Sequence, residues 1–271
     1  MLKSKEPKMV RCGRIDGCLA AVNAFPISKY HTTRDGEMSK VLILSGGSQG
    51  IGFATAKRFL AEGYRVVNLS RRPIDLVGAE QICVDMQKRD WLDTCIDDLH
   101  AVAKHADTVV LLHNAARHDG DSVRDLAAEN FADVLQVNLV APQQLNAALI
   151  PLMKAGSAIL YMGSTLSEKA VAGCASYIAS KHGVIGLMRA TTQDLIGRGI
   201  HTACICPGFT DTAMLRGNIG DDPEVMAAIT GMVSYGRLID PVEIVETLFF
   251  CAHNPVINGS VLHANLGQIE R

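Results

Sequence analysis

The sequence has no long hydrophobic run, little net charge and no regular spacing of cysteines. No apolar stretch approaches the roughly 18 residues needed to span a bilayer, so we expect no membrane segment. A formal net charge of −2 gives no reason to expect nucleic acid or an anionic membrane as a partner. Eight scattered cysteines are typical of reduced, buried thiols and predict a cytoplasmic protein. The Cys204-Ile-Cys206 segment lacks a second ligand pair, so no metal site is expected.

Residues 1–38 differ from the rest of the chain, because they mix Lys, Arg, Gly and Pro without a sustained helical or strand period. The apolar stretch Cys18–Phe25 is interrupted by Asn23 and lacks the build of a signal peptide. We therefore predict a disordered or loosely packed extension that is dispensable for folding and cofactor binding. An organelle-targeting segment is the alternative, which four acidic residues weaken: Glu6, Asp16, Asp35 and Glu37.

From Lys40 onward, short apolar runs alternate with longer helical stretches. Most runs are apolar throughout, which is typical of strands buried on both faces of a parallel sheet. Gly63 can close the first helix, and Asp222-Pro223 and Asp240-Pro241 offer capping carboxylates followed by proline. Residues 39–271 are therefore predicted to form a single α/β domain, doubly wound, with a seven-stranded, mainly parallel sheet and helices on both faces. The predicted strands are Val41–Ser45, Arg65–Leu69, Gln81–Val84, Thr108–Leu112, Ala158–Met162, His201–Ile205 and Val261–His263.

A glycine-rich segment follows the first predicted strand and precedes a helix predicted over Phe53–Glu62. Glycines at 46, 50 and 52 would permit a tight turn, a close backbone approach to a pyrophosphate and close packing of helix on strand. A plain strand–helix turn is the alternative, but the position in the first strand–helix unit favours a dinucleotide. No Gly-Lys-Ser/Thr follows, so the segment is not a triphosphate P-loop. The predicted cofactor contacts here are Gly46, Ser48, Gln49, Gly50, Ile51 and Gly52.

The end of the second predicted strand indicates which dinucleotide binds. An NAD site places a carboxylate there for the ribose 2′-hydroxyl, whereas an NADP site carries cationic groups for the 2′-phosphate. This chain has Ser70, Arg71 and Arg72 there and no carboxylate. Two guanidiniums and a hydroxyl suit a dianionic phosphate, so these residues predict NADP(H), with a solvated surface pair of arginines as the alternative.

A phenol and an ammonium stand four residues apart at Tyr177 and Lys181, on one face of a helix predicted from about Ser176 to Ile196. Ser164 lies thirteen residues before the phenol, just beyond a predicted strand, where strand ends deliver residues into a ligand crevice. A surface Tyr–Lys pair at this spacing is far commoner than a catalytic one, so the pair alone identifies nothing.

Together these motifs resemble the compact, single-domain branch of the short-chain dehydrogenase/reductase family over about residues 40–267. Four further segments agree with that family in order and spacing: Asp85-Met86, His113-Asn114-Ala115-Ala116, Val137-Asn138-Leu139 and Pro207-Gly208-Phe209-Thr210-Asp211-Thr212. The resemblance implies a Rossmann-type fold. It also implies cofactor contacts from Asp85, Met86, Asn114, Ala115, Tyr177, Lys181, Pro207, Gly208, Thr210 and Thr212.

The resemblance further implies hydride transfer between NADP(H) and a carbonyl or secondary alcohol. Tyr177 would give the proton in reduction and take it in oxidation, and Ser164 would hold the carbonyl oxygen. Lys181 would bind the cofactor ribose while its charge stabilises the phenolate, and Asn138 would complete a water relay to it.

A homodimer or homotetramer is implied as well, joined through helices around Asp125–Leu152 and Ser176–Ile196. Three places depart from the family pattern. Gln49 stands where many NADP-preferring members carry a cation, residues 113–116 replace Asn-Asn-Ala-Gly, and residues 263–267 replace the usual Asp-Gly-Gly.

The sequence predicts a small-molecule carbonyl or alcohol substrate without naming it. The stretch between Thr212 and Tyr235 would either line an apolar, adaptable pocket or simply pack on the domain. Its apolar residues are Met214, Leu215, Met226, Ile229, Met232 and Val233.

Segments around Pro207–Met214 and Tyr235–Gly259 are similar to bacterial 3-oxoacyl thioester reductases, a similarity shared by members that act on alcohols, sugars and steroids. One alternative is an epimerase or dehydratase of the same family. Another is a non-catalytic NADP-binding regulator or scaffold, which loss of the tyrosine or lysine would signal.

Overall fold

A computed structural model describes residues 39–220 and 222–268, all in the predicted α/β domain. The predicted extension, residues 1–38, lies outside the described residues. Seven strands form one sheet in the order β3-β2-β1-β4-β5-β6-β7, and every neighbouring pair is parallel. The strands are β1 (Lys40–Ser45), β2 (Arg65–Ser70), β3 (Ala79–Cys83), β4 (Thr108–His113), β5 (Ala158–Met162), β6 (His201–Pro207) and β7 (Ser260–Ala264).

Helices cover both faces of the sheet, which confirms the predicted doubly wound fold. Helices α1 and α8 pack on one face, and helices α2, α4 and α5 pack on the other. The central strands are covered on both faces. Leu42 packs in the core beneath α1 and α8, and Ile43 packs in the core beneath α2, α4 and α5; neither has any exposed surface. The helices are α1 (Gly50–Ala61), α2 (Ile96–Lys104), α3 (Ala128–Leu135), α4 (Ala141–Leu149), α5 (Ala175–Asp194), α6 (Ala213–Ile219), α7 (Pro223–Thr230) and α8 (Pro241–His253).

The strand order creates a crevice at the carboxyl ends of β1 and β4. From β1 the chain proceeds outward through β2 to the edge strand β3, and it then returns to place β4 on the other side of β1. The loops after β1 and β4 therefore leave toward opposite faces, and ligands of doubly wound sheets bind at such a reversal.

Several element boundaries differ from those predicted. Helix α1 begins at Gly50 rather than Phe53, because glycines have low helix propensity and hide the true start. Strand β3 begins two residues before the predicted Gln81, since all five of its residues are half-buried and no apolar run marks it.

No disulfide joins the cysteines of the described residues. Within the same ranges, no helix is both long enough and apolar enough to cross a membrane.

We expect Phe59→Ala to lower the free energy of unfolding by about 3–5 kcal/mol. Phe59 is fully buried on α1, and its ring meets those of Tyr64 and Phe249 edge-on at centroid distances of 4.9 and 5.2 Å. Urea titration followed by circular dichroism measures the change. The matched control is Phe250→Ala, because Phe250 is 48% exposed on α8 and should cost less than about 1 kcal/mol. Equal losses would contradict this account of the core.

Candidate active site

The glycine-rich segment turns from β1 into α1 at the carboxyl end of the sheet. Gly46 and Gly50 have φ angles of +74° and +57°, in the left-handed region that favours glycine. A Cβ on Gly52 would collide with the Gly46 carbonyl oxygen and lie 2.6 Å from Asn114 Nδ2. The Gln49 side chain makes no capping bond, so the first-turn N–H groups of α1 remain available to an anion.

Asn114 fastens the loop after β4 to this turn. Its side-chain amide donates to the carbonyl oxygens of Ser45 at 3.1 Å and Gly46 at 2.9 Å. In return, the Ser45 hydroxyl accepts hydrogen bonds from the backbone N–H groups of Asn114 and Ala115, each at 3.0 Å. The two walls of the crevice are therefore held together by four hydrogen bonds.

Ser70, Arg71 and Arg72 lie where β2 ends. The Ser70 hydroxyl accepts a hydrogen bond from Asn68 Nδ2 at 2.8 Å and donates to the Arg72 carbonyl oxygen at 2.6 Å, which fixes the turn. Both arginine side chains are exposed and border the same cavity as the glycine turn. Two cations are thus placed beside the crevice, where a bound phosphate could reach them.

Helix α5 brings Tyr177 and Lys181 to the end of β5, where Ser164 lies. The Lys181 ammonium donates to the Met162 carbonyl oxygen at 2.7 Å and lies 5.4 Å from the centroid of the Tyr177 ring. Lys181 is only 2% exposed. An ammonium has three donors and Met162 takes one, so a bound hydroxyl-bearing ligand would compensate its burial.

The Ser164 side chain is already oriented by its neighbours. Its Oγ accepts a hydrogen bond from the Leu166 N–H at 3.1 Å, and its own N–H donates to Ser167 Oγ at 3.0 Å. Because Oγ is the acceptor in the first bond, the hydroxyl hydrogen is left to donate to a ligand.

Asn138 lies in a π-helical turn, Gln136–Val140, between α3 and α4. Its Oδ1 accepts from the Arg117 N–H at 2.7 Å, and its Nδ2 donates to the Arg117 carbonyl and to Ser180 Oγ, each at 2.9 Å. The side chain therefore holds the loop after β4 against α5 and does not line the cavity. Its part in a water relay to Lys181 stays a prediction.

A cavity of about 1090 Å³ opens along this end of the sheet. Apart from Asn138, all of the predicted site residues line it. These are Gly46, Ser48, Gln49, Gly50, Ile51, Gly52, Ser70, Arg71, Arg72, Asp85, Met86, Asn114, Ala115, Ser164, Tyr177, Lys181, Pro207, Gly208, Thr210 and Thr212.

The loop after β4 contributes two residues that were not expected from the sequence. Asp121 caps α5, since its carboxylate accepts from the Ser176 N–H at 3.0 Å and from the Ser176 hydroxyl. The His118 ring packs on that of Tyr177 with centroids 4.4 Å apart, and His118 lines the cavity. The available signal was the polar run from 117 to 121 directly after a strand, because such ends face the crevice.

Two of the residues that depart from the family pattern make contacts within the protein. Burial lowers the pKa of His113 to about 4, so its ring is neutral, and its Nε2 lies 2.8 Å from Asn146 Oδ1 on α4. His263 Nε2 lies 2.9 Å from a carboxylate oxygen of Glu168. Neither histidine lines the cavity.

The fold and the cavity are those of a dinucleotide-binding α/β protein. Residues 46–268 match the family model described as enoyl-(acyl carrier protein) reductase. Carbonyl reductase family member 4 of Xenopus tropicalis is 32% identical over 239 residues, which are 83% of this chain and 96% of that protein. The 3-oxoacyl-[acyl-carrier-protein] reductase FabG of Salmonella typhimurium is 28% identical over 241 residues, 84% of this chain and 97% of that protein.

A solved structure agrees on the fold. The ligand-free aldohexose dehydrogenase of Thermoplasma acidophilum superposes with a TM-score of 0.78 at 24% identity, covering 85% of this chain and 94% of that one. The chain belongs to the short-chain dehydrogenase/reductase family, as its motifs predicted.

We expect Gly52→Ala to weaken binding of a reduced nicotinamide dinucleotide at least about tenfold, because the new methyl group would push the glycine turn away from Asn114. Titration of the fluorescence of NADH and of NADPH measures the dissociation constants. The control is Gly186→Ala on α5, where a Cβ would meet nothing within 4 Å. Unchanged binding in the Gly52 variant would show that this close packing does not shape the cofactor site.

Proposed function

We propose that the protein transfers a hydride between NADP(H) and a carbonyl or secondary alcohol, with Ser164, Tyr177 and Lys181 as its reacting residues. The observation that carries the proposal is the burial of Tyr177 and Lys181 beside Ser164, in one cavity with the glycine turn. An ammonium buried this deeply is costly unless it serves a ligand or a neighbouring charge. A scaffold that only bound the cofactor would need neither Ser164 nor the phenol.

The residues fit a nicotinamide dinucleotide. Gly46, Gly50 and Gly52 line the cavity at the start of α1, so the turn presents backbone and no side chain there to a pyrophosphate. The unused donors of Lys181 suit ribose hydroxyls, and Arg71 and Arg72 suit a 2′-phosphate. We assign the remaining cofactor contacts to the cavity-lining residues predicted from the sequence.

When bound, the nicotinamide supplies or accepts the hydride. In reduction the Ser164 hydroxyl donates a hydrogen bond to the carbonyl oxygen, and Tyr177 gives that oxygen its proton. The resulting phenolate is stabilised by the Lys181 ammonium, held near the ring by the Met162 carbonyl. Oxidation runs through the same residues in reverse.

The cavity wall supports an apolar substrate with a polar end. Met214, Leu215 and Met232 line the cavity, whereas Ile229 and Val233 are buried against the domain. The first three residues support an apolar pocket wall, and the last two support packing on the domain. Because the relatives include a carbonyl reductase and a 3-oxoacyl-[acyl-carrier-protein] reductase, we propose 3-oxoacyl thioesters as the first substrates to assay. A crotonyl thioester tests the enoyl reduction that the matching family model describes.

NADPH should bind at least about tenfold more tightly than NADH, because two charge-assisted contacts to the 2′-phosphate contribute about 1.5–3 kcal/mol each. Replacing Arg71 with Asp and Arg72 with Leu should narrow or invert the ratio of the two dissociation constants. Lys104→Asp, which reverses a positive charge outside the cavity, should leave this ratio unchanged. Equal affinities of the unmodified protein for the two cofactors would refute the NADP assignment.

Tyr177→Phe should reduce turnover of a 3-oxoacyl thioester by about 10²–10⁴, because the variant lacks only the proton donor. NADPH binding should stay within about twofold, since the ring still fills its place on α5. Stopped-flow NADPH oxidation and a binding titration measure the two effects. Tyr235→Phe, at a tyrosine that is 70% exposed, is the matched control and should keep full turnover. Near-normal turnover of the Tyr177 variant would mean that the proton comes from elsewhere.

A further inference from the structure

Two amide side chains lie behind the two arginines, outside the cavity. Asn68 on β2 and Gln81 on β3 are paired across the parallel strands, and Asn68 Nδ2 donates to Gln81 Oε1 at 2.7 Å. Asn68 is fully buried, and neither residue lines the cavity. Buried polar groups are costly unless they are hydrogen-bonded, so the partners of these two amides indicate what the pair serves.

The oxygen of Asn68 holds the glycine turn. Its Oδ1 accepts a hydrogen bond from the Gly47 N–H at 2.7 Å, and a Cβ on Gly47 would lie only 2.6 Å from that oxygen. Position 47 therefore suits a glycine because a buried amide lies against it. The Gly46 N–H donates to the Leu69 carbonyl oxygen at 2.8 Å. The turn after β1 is thus tied to β2 at two consecutive residues.

The remaining atoms of the two amides hold the turn that carries the arginines. Asn68 Nδ2 also donates to Ser70 Oγ at 2.8 Å, and Ser70 Oγ donates to the Arg72 carbonyl oxygen at 2.6 Å. Gln81 Nε2 donates to the Ser70 carbonyl oxygen at 3.2 Å, and Gln81 Oε1 accepts from the Ile74 N–H at 3.0 Å. Residues 70, 72 and 74 are therefore all fixed by the same pair of side chains.

Backbone groups set the direction of these hydrogen bonds. Because the Gly47 and Ile74 N–H groups can only donate, they fix which end of each amide is the oxygen. Because the Arg72 carbonyl can only accept, the Ser70 hydroxyl must donate to it. The single hydrogen of that hydroxyl is thus used within the turn. Donation to a 2′-phosphate from this turn then falls to Arg71 and Arg72.

We propose that Asn68 and Gln81 are positioning residues for the 2′-phosphate of the cofactor, which hold the turn of residues 70–72 in one conformation and in register with the glycine turn. The proposal rests on the proposed preference for NADP(H) and names the side chains on which that preference depends. A turn that is ordered before binding loses no backbone entropy when the ligand binds. This gain applies to NADPH, whose phosphate would contact the turn, and not to NADH, which lacks that phosphate.

The test measures the dissociation constants of NADPH and NADH by fluorescence titration of the full-length protein and of Gln81→Met. Methionine has a similar length but leaves the Ile74 N–H and the Ser70 carbonyl without their side-chain partner. We expect the ratio of the NADH to the NADPH dissociation constant to fall about tenfold, the cost of ordering about one backbone residue on binding. The NADH value should stay within about twofold, because Asn68 still holds the glycine turn.

A second variant and a matched control accompany this measurement. Gln81→Asn is one methylene group shorter and should lower the ratio in the same direction, which keeps the test decisive if the methionine variant folds poorly. The control is Gln144→Met on α4, outside the cavity, where Gln144 accepts from Trp91 Nε1 at 2.8 Å and donates to the Arg89 carbonyl at 3.0 Å. It should leave the ratio unchanged even where it lowers Tm. An equal fall in the control would overturn the proposal.

Asn68 needs its own variant because it bonds to both turns. Asn68→Ala should weaken NADH binding, since the glycine turn loses its partner, and it should weaken NADPH binding by a larger factor. Thermal melting checks that the variant is folded. Equal weakening of the two cofactors would show that Asn68 serves the glycine turn alone, and it would overturn its role at the arginine turn.

A double-mutant cycle shows whether Gln81 acts through the arginines. In protein that already carries Arg71→Asp and Arg72→Leu, adding Gln81→Met should change the ratio by less than about twofold, because no phosphate contact is left to position. A further tenfold fall there would overturn the proposal.

The unmodified protein separates this inference from the proposed function. Equal affinities for NADPH and NADH would refute the NADP assignment and this inference with it. A preference for NADPH that survives both changes at Gln81 would leave the NADP assignment standing and overturn the positioning role alone.

Discussion

The side-chain amide of Asn114 joins the turn after β1 to the loop after β4, and the ligand side of the sheet is arranged around that junction. Its two donated bonds end on Ser45 and Gly46, so the strands that flank the reversal cannot separate at their carboxyl ends. The short distance between the two loops also explains why residues 46 and 52 are glycines. A Cβ on Gly46 would lie 2.9 Å from Ala115 Cα, and one on Gly52 would meet Asn114 itself. Any larger side chain at these two positions would open the crevice and move both walls of the cavity.

The sheet was predictable because its central strands are buried on both faces. Ile43 and Leu111, for example, have no exposed surface. Strands buried in this way are apolar at every position, so they are visible in the sequence as uninterrupted apolar runs. The edge strand β3 was misplaced by two residues because it is only half-buried. The start of α1 was misplaced by three because a glycine that serves a close approach looks, in sequence, like a helix breaker.

The candidate site was predictable only as far as local motifs reach. The residues that line the cavity lie at strand ends and helix starts, where the position in the chain and the residue type together indicate a site residue. Asn138 shows the limit: its side-chain partners are Arg117 and Ser180, 21 and 42 residues away, and no local pattern reveals them. His118 and Asp121 were missed for the same reason, since their contacts with Tyr177 and Ser176 depend on how α5 packs against the loop after β4.

The capping of α5 by Asp121 has a consequence for how this half of the protein forms. Cys174 at the helix start supplies no capping bond, so the first turn is satisfied by a carboxylate 55 residues earlier in the chain. Isolated helices fray at uncapped ends, and Tyr177 is the third residue of this one. The start of α5 is therefore capped only after β4 and the loop that follows it have packed against the helix. Opening of that loop would expose the first amides of α5 to hydrogen exchange and release the phenol, while the seven-stranded sheet stayed folded.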